Sequence, residues 1–203
     1  MKVNKKQKRI LLVVALLISM VFLLTGCQRV RKFFKDVETT TIGLSMVVKS
    51  YDENSQVIDQ YSGRVGNVTR ETKLDTESTE SSVITFTVGG KEVQHVGSSV
   101  IMMEKGLEDI FSEYVKTIDF ANRDITVPFL NKMVNDFREP FSGHDKVILI
   151  RSQNGTPLAT FAGDKVYLDT TDVSKMTKLL VDGKTLIIYR CDYSIYDLDL
   201  LEQ

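Results

Sequence analysis

Tyr51-Asp52-Glu53-Asn54-Ser55-Gln56-Val57-Ile58-Asp59-Gln60-Tyr61-Ser62-Gly63 and, 100 residues further on, Arg151-Ser152-Gln153-Asn154-Gly155-Thr156-Pro157-Leu158-Ala159-Thr160-Phe161-Ala162-Gly163 share one layout. Each reads as a strand end, an Asn-bearing turn, and a returning strand that closes on aromatic-x-Gly. Downstream, Val88-Gly89-Gly90-Lys91 lies over Val181-Asp182-Gly183-Lys184 at an offset of 93. The order is the same both times, and the change of offset falls in a variable loop, where length costs little. We read two similar β-hairpin-rich repeats joined by a helical segment, in an α+β body where antiparallel strands predominate. The competing explanation is that short hairpins resemble one another, since Asn, Gly and aromatics are common at turns.

Outward from these blocks, Leu44–Tyr51, Val83–Val88, Lys91–Val96, Val100–Met103, Val147–Arg151, Leu186–Tyr189 and Tyr193–Leu198 carry strand character. Asn154-Gly155, Gly89-Gly90 and Asp182-Gly183 supply tight turns. Lys165–Leu168 is expected to extend the strand before it. The segment 70–82 has no period and reads as a mobile loop. Leu107, Ile110, Phe111, Tyr114 and Ile118 fall on one helix face, and a second helix is expected from Pro128 to Phe137, with proline in its first turn. Ser174–Leu180 reads as one or two helical turns.

The N-terminus carries a different signal. Five basic residues precede an apolar run from Ile10 to Leu24, the layout of an export signal and short for a spanning helix. Leu24-Thr25-Gly26-Cys27 resembles the lipobox of bacterial lipoproteins. That resemblance implies a diacylglyceryl thioether on Cys27 and cleavage after Gly26. The alternative is an uncleaved N-terminal helix with an incidental cysteine. Two acyl chains would anchor the protein by on the order of 20 kcal/mol. The expected organisation is a signal peptide (1–26), a lipidated basic tether (27–41), a first β repeat (42–105), a helical connector (106–140) and a second β repeat (141–203).

Removing the signal takes the net charge from −1 to −6. Arg29, Arg31, Lys32 and Lys35 follow the cysteine directly and suit anionic headgroups or plain solvent. The rest is acidic, which argues against nucleic acid. With Cys27 assigned to lipid, Cys191 is alone and reads as a buried structural thiol.

The chain is similar to a family of small lipoproteins of Gram-positive bacteria known only as a domain of unknown function. The likeness rests on L-T-G-C-Q-R-V (Leu24–Val30), on the K-S-Y-D-x-N-S turn (Lys49–Ser55), and on a G-K hairpin followed by V-I-M-M-E (Val100–Glu104). It implies a location and no activity.

Catalytic and metal motifs are missing. His95 reads as structural. His144, in Ser142-Gly143-His144-Asp145, reads as a loop before a strand, because a triad is recognised by geometry rather than by sequence neighbours. Asp192, Asp197 and Asp199 miss calcium-loop spacing. The sequence therefore points to a non-enzymatic binding or interaction module, lipid-anchored on the extracytoplasmic face of the cell membrane. It takes no cofactor or metal, and its partner is an envelope protein or wall polymer. The alternatives are an envelope hydrolase using His144 with an aspartate and a serine, or a small solute-binding lipoprotein. The latter suits two larger α/β lobes than this chain offers.

Overall fold

The computed structural model describes residues 43–52, 54–70, 83–118, 128–169 and 171–202. Residues 43–203 form one compact unit. The expectations for the signal, lipobox, tether and loop 71–82 lie outside the described residues.

Among the described residues twelve strands run β1 (Leu44–Tyr51), β2 (Val57–Val65), β3 (Thr69–Arg70), β4 (Val83–Val88), β5 (Lys91–Val96), β6 (Ser99–Glu104), β7 (Lys146–Arg151), β8 (Pro157–Gly163), β9 (Val166–Asp169), β10 (Met176–Val181), β11 (Lys184–Tyr189) and β12 (Asp192–Asp197). Among the described residues two α-helices, α1 (Ile110–Tyr114) and α2 (Phe129–Asp136), lie between β6 and β7. The architecture is predominantly antiparallel β. A nine-stranded sheet has the order β3-β4-β2-β1-β6-β11-β10-β9, with β5 added on β4, and a second sheet is β12-β7-β8.

Both N-terminal hairpins are irregular at the same step. In β1–β2, Lys49 faces Gln60 and the register shifts between Ser50 and Tyr51. In β7–β8, Leu149 faces Thr160 and the shift falls between Ile150 and Arg151. The outer strands also correspond: Met46 faces Glu104 across β1–β6, and Lys146 faces Asp197 across β7–β12. Val83 faces Val96 across β4–β5, and Met176 faces Tyr189 across β10–β11. Thr69 faces Thr85, and Asp169 faces Lys178. Glycine is required in one place in each hairpin. A Cβ on Gly63 would come within 2.8 Å of Val88 Cγ1, and one on Gly163 within 2.7 Å of Val181 Cγ1.

The halves of the large sheet join at β6–β11, where Val100–Met103 faces Tyr189–Leu186. One core gathers Tyr51, Ile101 and Met103 with Ile148, Phe161, Leu179 and Ile188. Another packs α1 and α2 on Val147 and Leu149.

Three expectations need correction. Residues 174–180 are not helical: β10 is laddered on both edges, to β9 and β11, and that pairing overrides the local preference for helix. Residues 165–168 do not prolong β8, because β9 leaves it to pair with β10 in the other sheet. The helix expected from Leu107 spans only Ile110–Tyr114. Gly106 has φ +93°, and Asp109 caps the first turn by accepting from Ser112 N at 3.3 Å, a device that starts a helix at the following residue. Helix α2 falls within one residue of its expected bounds at each end.

Candidate functional site

Four turns converge on one side of the molecule. The β1–β2 turn is tied by Asp52 N donating to Gln56 O at 2.9 Å and Ser55 N to Asp52 O at 3.2 Å. The Asp52 carboxylate accepts from the backbone of Asn54 (2.9 Å) and Gln56 (2.8 Å). The β7–β8 turn repeats these ties, with Ser152 N donating to Thr156 O at 2.8 Å and Gly155 N to Ser152 O at 2.9 Å. There Asn154 Oδ1 accepts from Thr156 N at 3.1 Å. Ser55 Oγ donates to Ser152 Oγ at 3.3 Å, so the two turns touch.

With the β5–β6 turn (Gly97, Ser98) and Arg190 of the β11–β12 turn, they border an open cleft of about 670 Å³. Its wall mixes hydroxyls (Ser98, Ser99, Ser152), amides (Gln153, Asn154), the Asp52 carboxylate and the Arg190 side chain, with Tyr51 at the base of the turn. Arg190 is the unusual member. Its φ is +53°, a region non-glycine residues visit sparingly and often at working sites. Ser99 Oγ fixes it by donating to Arg190 O at 2.8 Å, and Arg190 N donates to Lys175 O at 2.9 Å. Its Nε is buried and makes no hydrogen bond, and the guanidinium bonds the Tyr189 phenol.

Deeper, Lys49 Nζ donates to Asp109 Oδ2 at 3.0 Å and to Ser112 Oγ at 3.2 Å. Asp109 also accepts from Ser112 Oγ and, at 3.3 Å, from Thr160 N. The ion pair is nearly sealed, with side chains 12% and 6% exposed. It ties β1, α1 and β8 together. A Ser-Lys nucleophile is not formed here, since the Ser112 proton goes to Asp109 and Lys49 is itself a donor. Burial, and secondarily Asp109 and Cys191, pushes the Tyr51 phenol far above its ordinary range. Burial likewise pushes the Cys191 thiol up to about 11, and the thiol donates to Tyr189 O at 3.2 Å. It is a poor nucleophile.

The remaining candidates separate. His95 sits in β5, with Nε2 3.0 Å from Ser98 O and its ring edge-on to Tyr189 at 6.2 Å. Asp197 pairs with Lys146, Asp192 is exposed at the start of β12, and Asp199 lies in the 3-10 turn Leu198–Leu200. His144 Nδ1 lies 3.1 Å from Asp164 Oδ1. Among the described residues that is the ring's hydrogen bond, and no serine joins it. Leu24, Thr25, Gly26, Cys27, Arg29, Arg31, Lys32 and Lys35 lie outside the described residues. No helix among the described residues is long and apolar enough to cross a membrane. Arg190 was not legible as a site residue, because nothing in Tyr189-Arg190-Cys191 announces a positive φ. Lys49 gave a faint signal, as a charge within an otherwise strand-like run.

The fold and cleft define a β-rich protein with a polar, turn-lined groove and no assembled catalytic triad among the described residues. The chain belongs to the family described as Domain of unknown function (DUF5052), whose model matches residues 8–201. No curated protein and no solved structure matches it.

Proposed function

We propose that this chain is a membrane-anchored, extracytoplasmic lipoprotein that works as a non-enzymatic binding module at the cell envelope. Leu24-Thr25-Gly26-Cys27 supports the anchor, through a diacylglyceryl thioether on Cys27. The cleft supports the binding role. Clustered hydroxyls and amides suit a hydroxyl-rich polymer, and the Arg190 guanidinium on the cleft wall suits an acidic group on it. The ligand in this reading is an acidic wall glycan.

We also infer that residues 43–104 and 146–197 descend from one six-stranded unit. Four strand pairings have corresponding registers at the offsets of 100 and 93 seen in the sequence. The cleft then lies where matched turns of the two copies meet.

The single observation that carries the binding role is the convergence of four turns on one cleft containing Arg190. The test is cosedimentation of the full chain, in phospholipid vesicles, with purified acidic wall glycan. Binding should fall at least about tenfold in Arg190→Ala and be restored in part by Arg190→Lys. Binding that ignores both substitutions would remove the cleft from the account. Separately, intact-mass measurement of the membrane-extracted protein should find Cys27 acylated and residues 1–26 gone.

A further inference from the structure

His144, Asp164 and Asp182 lie in three different turns, before β7, between β8 and β9, and between β10 and β11. One donor atom from each falls within 4.8 Å of the other two. We propose that these three side chains bind a first-row divalent cation of the Zn²⁺ class. Three donors so spaced share a point no more than about 2.8 Å from each, and a small inward shift reaches the 2.0–2.2 Å of Zn–N and Zn–O bonds. One imidazole and two carboxylates suit zinc or manganese better than calcium, which takes oxygen ligands alone.

The electrostatics favour a cation. Among the described residues Asp182 has no ion-pair partner, and the ionic partner of Asp164 is His144. The two carboxylates stand side by side. The ligands are also held from behind. Asp182 Oδ1 accepts from Lys165 N at 2.8 Å and from Asp164 N at 3.2 Å, and its Oδ2 accepts from Asp164 N at 3.1 Å. Such outer donors fix a ligating carboxylate in place. The set is peculiar to this end of the chain, because the V-x-G-K turn of the other half has Gly89 where Asp182 stands. The sequence pointed to no metal because the ligands stand 20 and 18 residues apart, unlike the short spacings that mark a metal site.

The proposal is independent of the cleft. It is tested on the full chain in detergent, by titrating Zn²⁺ against a chromophoric chelator and following the visible spectrum with Co²⁺. One equivalent should bind, with Co²⁺ giving an intense d–d band, and zinc should raise the melting temperature. His144→Gln and Asp164→Asn should each weaken binding at least about tenfold, abolish the zinc-dependent shift, and leave the metal-free melting curve close to that of the parent. Cys27→Ser and Cys191→Ser should bind as the parent does. No stoichiometric binding, or binding that survives both ligand substitutions or depends on a cysteine, overturns it.

Discussion

The hairpins β1–β2 and β7–β8 have one register, one irregular step and one pattern of turn hydrogen bonds, yet opposite surroundings. In β2, Val57 and Ile58 are 48% and 57% exposed; in β8, every residue but one is buried. Helix α1 packs against β8 and has no described counterpart over β2. The backbone ladder is therefore indifferent to what covers it, and side chains have followed the cover. Lys49 in β1 stands where β7 has Leu149, and Asp59-Gln60 stands where β8 has Ala159-Thr160.

The comparison can be broken at matched positions. Leu158 is 2% exposed and its counterpart Ile58 is 57% exposed. Leu158→Ala should cost about 2–5 kcal/mol in urea unfolding, and Ile58→Ala about 0.5 kcal/mol or less. Equal costs would mean that the two hairpins are buried alike in solution. Next, Lys49→Leu installs the side chain found at 149. If cover alone decided the residue, it would be harmless. Because it leaves Asp109 buried without its cation, we expect a loss of about 3 kcal/mol.

The smallest effect concerns Cys191, which stands where the first half has Ser98. Its folded pKa is raised from 9.0 to about 11, so between these values the unfolded chain gives up a proton that the native chain keeps. Stability from this group is whole below pH 9 and is lost as pH rises to about 11, on the order of 2–3 kcal/mol. Cys191→Ser should flatten that part of the stability profile by the same amount. An unchanged slope would show that the thiol reaches water.

Local chemistry made much of this fold readable. Asn154-Gly155, Gly89-Gly90 and Asp182-Gly183 mark turns because few other residues tolerate their dihedrals, and the bounds of β1, β4 and β5 agree with the sequence reading to the residue. Non-local terms were hidden. Ser174–Leu180 has helix-forming lysines and leucines, and only its neighbours on both edges make it a strand. The departure of β9 from β8 depends on β10, and the short α1 depends on a cap that also holds Lys49. The cleft was half legible: both Asn-bearing turns could be named, but not that they touch through Ser55 and Ser152.

The seam between β6 and β11 is only four residue pairs long, and every residue on both sides of it is buried. A protease cut between the halves would strip β6 down to a bare, sticky margin of Val100, Ile101, Met102 and Met103. Separated pieces would have strong reason to find each other again, so a split version of this protein should reassemble when its fragments are mixed, and should clump when one is made alone.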